Sequence, residues 1–68
     1  MPALVIGGES ILDEVTACRA RVHTRYKGVR KPRMISWSVR FISDKDYAVL
    51  ECVFQSSDGE KWTETTAI

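Results

Sequence analysis

The residues best suited to chemistry in this sequence are cations gathered in its middle third. Seven of the ten Lys and Arg residues fall within positions 19–33. Phosphates are the usual target of such a density, because each neutralised phosphate releases condensed counterions and arginine adds a bidentate donor pair. Tyr26 and Trp37 lie close enough in sequence to stack on bases if they are exposed. The pattern predicts an anion-binding segment made of Arg19, Arg21, Arg25, Lys27, Arg30, Lys31 and Arg33.

The charges are strongly segregated although the net charge is only +1. Residues 15–43 carry eight cations and no acid, whereas residues 1–14 have a net charge of −3 and residues 44–68 of −4. This distribution favours nucleic acid as the partner, with an acidic protein surface as the second choice. It is equally compatible with a solvated helix end and loop whose cations balance the acids at 44–64. The two interpretations differ in whether the arginines are paired within the chain.

Residues typical of catalytic or metal centres are present but poorly spaced. Cys18 and His23 stand five positions apart and Cys52 is distant, which offers three ligands where structural zinc takes four. Both cysteines fall on apolar faces, where burial raises the pKa of a thiol and lowers its reactivity. No serine lies in a G-x-S-x-G motif, and one histidine is the only ordinary general base near neutrality. We therefore expect two free, buried thiols and neither an enzyme, a metal site nor a cofactor.

Length and composition indicate one small domain spanning residues 1–68. The chain is 44% hydrophobic and 28% charged, which is ordinary globular composition. A chain of this size buries only about 60% of its unfolded surface, which disfavours a deep catalytic pocket. The apolar run at 3–6 is too short for a signal peptide or a membrane span. The expected location is therefore the cytoplasm, with no membrane partner.

The first half of the chain is expected to form a helix at about 10–27. A short strand or arm at 2–6 and a glycine turn at 7–8 precede it. Ser10 is the expected N-cap and Gly28 the C-terminal stop. An apolar stripe recurs at steps of three and four residues, formed by Ile11, Val15, Cys18, Val22 and Tyr26. Residues 19–27 also alternate strictly between charged and uncharged, so a strand there, within an all-β sheet or small barrel, is the alternative.

The second half predicts three antiparallel strands at about 34–42, 47–55 and 60–67. The first alternates, which favours one buried face formed by Ile35, Trp37, Val39 and Phe41. Polar turns at 43–46 and 56–59 separate the strands, with Gly59 where a positive φ is wanted. The expected fold class is therefore α+β, with one helix followed by a three-stranded meander.

The middle strand is apolar on both of its faces. Ala48, Leu50, Cys52 and Phe54 alternate with a second set that is interrupted only by Glu51. One helix covers only one face of a sheet, so the second set predicts an interaction surface and a homodimer; its residues are Tyr47, Val49 and Val53. The expected function is a non-enzymatic binding module for an anionic partner. The alternative is a protein-interaction module or small inhibitor of the kind that phage and mobile elements encode.

Overall fold

The protein was analysed as a computed structural model, which describes residues 8–68, with side chains from residue 11 onward. The predicted strand or arm at 2–6 lies outside the described residues. One helix is followed by three strands: α1 spans Gly8–Arg25, β1 Arg33–Phe41, β2 Ala48–Gln55 and β3 Lys61–Ala67. The α+β fold class is confirmed, and each strand boundary lies within one residue of its predicted position. Residues 19–25 are helical, so the strand alternative is wrong.

The helix begins and ends two residues earlier than the sequence indicates. Gly8 is already helical, so the glycine turn does not extend to it, and Ser10 lies inside the first turn rather than at the N-cap. After Arg25 the chain makes one more helical hydrogen bond, from the Tyr26 N–H to the Val22 carbonyl at 3.0 Å, and then turns. Gly28 follows with a φ of +78°, which is the left-handed conformation expected of a terminating glycine.

The sheet is an antiparallel meander in the order β1-β2-β3. Trp37, Val39 and Phe41 of β1 stand opposite Cys52, Leu50 and Ala48 of β2, so these six residues share one face. Along the other edge of β2, where β3 pairs with it, Trp62 stands opposite Phe54, Glu64 opposite Cys52 and Thr66 opposite Leu50. A β-bulge interrupts the β1–β2 ladder at Ile35, between Met34 and Ser36.

The core is the interface between the apolar stripe of α1 and the face of β2 that it covers. Val15, Cys18 and Val22 pack against three β2 residues, and all six are at least 96% buried; the β2 residues are Leu50, Cys52 and Phe54. Partly buried side chains complete the cluster at its margins, among them Ile11, Tyr26, Met34, Val39 and Trp62. The predicted stripe is confirmed over its full length.

The expected buried face of β1 is wrong for three of its four residues. Only Val39 packs against the core, whereas Ile35, Trp37 and Phe41 are 39%, 42% and 63% exposed. The cause is the position of α1, which lies over β2 and β3. Arg21 and Arg25 contact Thr66 and Glu64 of β3 at 2.9 and 2.8 Å. A helix about 10 Å wide covers roughly two strands spaced about 4.8 Å apart, so Trp37 and Phe41 on the helix side of β1 stay exposed. Ile35 has no partner in the ladder because of the bulge, and Met34, opposite Phe54, packs against the core in its place.

The two cysteines are free thiols, as expected, and both are buried in the core. Cys18 projects from α1 and Cys52 from the middle of β2, and their side chains are in contact. Loss of hydration on burial, together with the neighbouring Cys18, raises the pKa of the Cys52 thiol to about 12. This thiol is therefore protonated at neutral pH and unsuited to nucleophilic chemistry.

Candidate functional site

The basic segment forms the end of α1 and a tight loop at one edge of the molecule. Three residues there have a positive φ: Gly28 and, unusually for residues with a side chain, Arg30 and Lys31. The Lys31 N–H donates to the Val29 carbonyl at 2.6 Å, which closes a three-residue turn centred on Arg30. The Ser57 N–H donates to the Arg30 carbonyl at 2.8 Å. The β2–β3 hairpin turn therefore holds the basic loop in place.

Two of the seven predicted anion-binding residues are paired with carboxylates of β3 and its preceding turn. Arg25 donates to Glu64 at 2.8 Å, and Arg30 is ion-paired with Glu60. The Tyr26 side chain, and after it Glu64, raise the pKa of the Arg25 guanidinium above its ordinary value. These two arginines are bound within the chain and contribute little free positive charge to a partner.

The same arginines stack on aromatic rings. The guanidinium carbon of Arg30 lies 5.2 Å from the Tyr26 ring centroid and 4.7 Å from that of Trp62. The Tyr26 and Trp62 rings meet edge to face at 5.4 Å, and Trp62 stacks on Phe54 at 5.9 Å. Tyr26 is therefore a structural residue rather than a platform for a base. Trp37, the other aromatic residue expected to stack, is partly exposed but lies on β1 and outside this cluster.

Arg19 and Arg21 lie on the helix, away from the loop. Each of Arg19 and Arg25 is three residues from the buried Val22, which at about 100° per residue places them on opposite flanks of the stripe. Since Arg25 faces β3, Arg19 faces the β1 side. Arg21 donates to the Thr66 hydroxyl at 2.9 Å, a contact that leaves its charge uncompensated. The seven cations therefore do not form a single continuous surface.

Three cations of the loop remain together and exposed: Lys27, Lys31 and Arg33. Among the side chains of residues 11–68, none of them has a carboxylate within 4.0 Å. Lys27 and Lys31 line a depression of about 410 Å³ with His23 and Gly28. Lys31 also lines a second depression, of about 340 Å³, which it shares with Arg33 and the hairpin turn at 55–59. We call Lys27, Lys31 and Arg33 the loop cation cluster.

The acid nearest to this cluster in the hairpin turn is engaged locally. Asp58 accepts hydrogen bonds from the Ser56 hydroxyl and, at 3.1 Å, from the Glu60 N–H. These bonds, that of Ser56 first, lower the pKa of the Asp58 carboxyl. Ser57 of the same turn lines the second depression. An anion there would meet two cations and polar backbone rather than an apolar pocket.

The predicted interaction surface lies on the sheet face opposite α1. Val49 and Val53 are half-buried in the centre of that face, and Tyr47 is exposed just before β2. Apart from Ala67, which stands opposite Val49, their neighbours across the strands are polar: Arg40 donates to Glu51 at 3.0 Å between the two valines, and Ser38 and Thr65 flank Glu51. The apolar part of this face is therefore two valines wide. Its role in association stays a prediction.

Features of a metal or membrane site do not arise from the described residues. In the part of the chain that the structure describes, no group of three or more His, Cys, Asp and Glu side chains is arranged to hold a metal ion. No helix within residues 8–68 has both the length and the apolar character that a bilayer span requires. His23 is exposed on α1, while Cys18 and Cys52 face the core.

The comparisons with known proteins assign no family. No family model matches the chain, and neither the curated proteins nor the solved structures contain a significant match. The functional argument therefore depends on the chain's own residues.

Proposed function

We propose that this chain is a non-enzymatic binding domain that docks a polyanion, nucleic acid in the first place, on the loop cation cluster. The observation that carries the proposal is that Lys27, Lys31 and Arg33 are exposed, lie on one short loop and its junction with β1, and have no carboxylate partner among the side chains of residues 11–68. Uncompensated cations with adjacent depressions favour phosphate, because each phosphate that they neutralise releases counterions condensed on the nucleic acid.

The rigidity of the loop supports the same proposal. The Ser57–Arg30 backbone bond and the Arg30–Trp62 stack fix the position of the cations before any partner arrives. Binding then orders fewer side chains and loses less conformational entropy than binding by a flexible basic tail. In this proposal Arg25 and Arg30 are positioning residues, whereas Lys27, Lys31 and Arg33 contact the partner.

The number of contacts predicts the strength and the salt dependence of binding. Three phosphate contacts correspond to a slope of log K against log salt of roughly −2 for a single strand and −3 for a duplex. Affinity of this kind is modest and independent of sequence. Arg19 and Arg21, which lie farther along α1, add to it only if the strand follows the helix.

The test is a fluorescence anisotropy titration of labelled single-stranded and duplex oligonucleotides at about 50 mM and 200 mM salt. Substitution of Lys27 or Lys31 by Ala is expected to weaken binding to every sequence and to reduce the slope by roughly one. Lys45→Ala, at the opposite end of the sheet, is the matched control and is expected to leave both unchanged. The absence of binding at low salt, or binding that salt does not weaken, contradicts the proposal.

A further inference from the structure

The outer edge of β1 is unpaired among the described residues, and this strand carries exposed apolar side chains. No other strand within residues 8–68 pairs with the outer edge of β1. Trp37 and Phe41 stand on the helix side of this edge strand, and their side chains are 42% and 63% exposed. An unpaired edge that carries large apolar side chains is a template for pairing with another strand, and natural proteins normally protect it with charge. Here the protection is weak, since Arg40 is already paired with Glu51.

The other edge of the sheet has the opposite character. β3 has the sequence KWTETTA, and its residues apart from Trp62 and Ala67 are charged or hydroxylated. Trp62 is packed into the aromatic cluster and Glu64 is paired with Arg25. Of the two edges, β1 is therefore the one whose solvation is costly.

The helix contributes a second wall to the exposed region. Leu12 is 56% exposed and lies seven residues, about two turns, before Arg19, on the flank of α1 that faces β1. With Trp37 and Phe41 it gives the β1 side of the molecule three exposed apolar side chains.

We infer that a second copy of this chain occupies this region, with the two β1 strands pairing antiparallel about a two-fold axis at Val39. In this register Trp37 stands directly opposite the partner's Phe41, and the symmetry repeats the pair. Residues directly opposite in antiparallel strands share a face and are about 5 Å apart, so the four rings form one stripe on the helix side of a six-stranded sheet. The stretch paired in this way, 36–42, avoids the bulge at Ile35.

Charge complementarity at the two ends of β1 supports this register. Lys31 lies just before β1 and Arg33 is its first residue, whereas the turn after β1 carries the acids Asp44 and Asp46 on either side of Lys45; all five are exposed. Antiparallel pairing places the start of one β1 next to the end of the other, with Arg33 near the partner's Asp44. Each end of the interface then carries an ion pair. A surface on which apolar rings and opposite charges match their own symmetry copies is that of an isologous dimer.

This inference does not depend on the proposed function. Lys27, which faces away from β1 on the loop, serves only the binding of anions, and Phe41 serves only the dimer. The two proposals therefore have separate diagnostic variants. A dimer also doubles the number of loop cation clusters and places them at opposite ends of the central strand pair.

The first experiment measures mass in solution by sedimentation equilibrium from micromolar to millimolar chain concentration. The expected mass at the upper end is twice the 7.7 kDa of one chain. Phe41→Lys is expected to raise the dissociation constant at least roughly tenfold, because it places a charge opposite Trp37 of the partner. Val29→Lys changes an equally exposed apolar residue of the loop and is the control, expected to dimerise normally.

A charge exchange tests the register without touching the rings. Arg33→Asp and Asp44→Arg are each expected to weaken the dimer, and the double variant to restore it. Residues 33 and 44 flank opposite ends of a nine-residue strand, roughly 26 Å long, so the restoration cannot arise within one chain. Both substitutions are exposed, so the fold is expected to survive them, and circular dichroism verifies this.

Three outcomes overturn the inference. The first is a full chain that stays monomeric at every concentration. If a variant lacking residues 2–6 then dimerises, the N-terminal segment rather than a second copy occupies β1. The second is a dimer that Val49→Glu disrupts and Phe41→Lys does not, which would place the interface on the opposite face of the sheet. The third is a double charge variant no tighter than its single parents.

Discussion

The guanidinium carbon of Arg30 lies 4.7 Å from the centre of the Trp62 indole ring, although Arg30 belongs to the basic loop and Trp62 to the edge of the core. Arg30 is also ion-paired with Glu60 and has a φ of +60°. This one side chain therefore fastens the loop to the β2–β3 hairpin. The most basic-looking part of the chain contains a residue whose role is structural.

Replacement of Arg30 by Ala is expected to destabilise the fold by about 0.5–2 kcal/mol, from a cation–π contact of about 0.5–1 kcal/mol and an exposed ion pair of at most about 1 kcal/mol. Arg30→Lys keeps the charge but loses the planar stack, and is expected to fall between Ala and the natural protein. Urea unfolding measures the difference. Arg33→Ala, at the end of the same loop and without a carboxylate partner among the side chains of residues 11–68, is the control and is expected to change stability by less than about 0.5 kcal/mol. Equal effects of the two Ala variants contradict the assignment.

The raised pKa of Cys52 predicts a loss of stability in alkali. The pKa of Cys52 is about 12 in the folded protein, above the ordinary 9.0. The stability that the protonated thiol contributes is therefore fully present below pH 9 and is lost as the pH rises toward 12. Over that interval the unfolded state releases the proton first, and the free energy of unfolding falls by at most about 1.4 kcal/mol per pH unit. Urea unfolding from pH 7 to 11 detects this.

Cys52→Ala is the matched variant for that measurement. It is expected to be less stable at pH 7 but to show a shallower decline above pH 9, because it lacks the thiol whose proton the folded state retains. Thiol labelling gives an independent check, since the native protein is expected to react slowly at neutral pH and rapidly once unfolded. Identical alkaline slopes in the two proteins would refute the role assigned to Cys52.

Gly59 is expected to tolerate other residues only at a cost in backbone strain. Its φ is +94°, and a methyl group added there would meet no atom within 4 Å. The cost of Gly59→Ala is therefore conformational rather than steric, about 1 kcal/mol. Gly59→Asn is expected to cost less, since Asn adopts left-handed conformations more readily. Thermal unfolding ranks the three proteins, and Ala equal to Gly would contradict the argument.

The elements of this fold could be predicted because they depend on local patterns. The stripe from Ile11 to Tyr26 has helical spacing, and Gly59 marks the second hairpin. Alternation in β1 correctly separates the two sides of the strand, but it does not state which side is covered. That depends on where α1 crosses the sheet, which is fixed by contacts between distant residues such as Arg25 and Glu64.

The candidate site was predictable to the same extent. Clustering of cations in sequence identifies the loop correctly, because Lys27, Lys31 and Arg33 are local neighbours. It fails for Arg25 and Arg30, whose carboxylate partners lie 39 and 30 residues away. No local signal distinguishes an arginine that will find a distant glutamate from one that remains free. The sequence indicates that the acids at 44–64 could balance the cations. Which acid pairs with which arginine depends on the register of the sheet.

Replacing a buried leucine and an exposed leucine by Ala is expected to have sharply different effects on stability. Leu50 is 1% exposed beneath α1, whereas Leu12 is 56% exposed on the flank of α1. Leu50→Ala removes buried contacts and leaves a cavity, so a loss of about 2–5 kcal/mol is expected, enough to unfold much of so small a domain. Leu12→Ala is expected to change stability by less than about 0.5 kcal/mol at concentrations where the chain is monomeric. Circular dichroism with urea unfolding measures both, and a large loss for Leu12→Ala would contradict the exposed position of its side chain.

Glu64→Gln is expected to change stability and anion binding in opposite directions. The Glu64 carboxylate accepts hydrogen bonds from Arg25 and from the Trp62 indole N–H, each at 2.8 Å. The amide keeps an acceptor but loses the charge, so a loss of about 1 kcal/mol in the free energy of unfolding is expected. It also releases Arg25 beside the loop cation cluster, which adds roughly one phosphate contact and steepens the salt slope by roughly one. The same titration applied to Glu51→Gln, whose partner Arg40 lies on the opposite sheet face, controls for net charge alone and is expected to show a smaller gain. If both variants bind oligonucleotides equally well, net charge rather than the arrangement of the loop governs binding, and the assignment of that loop as the contact surface is wrong.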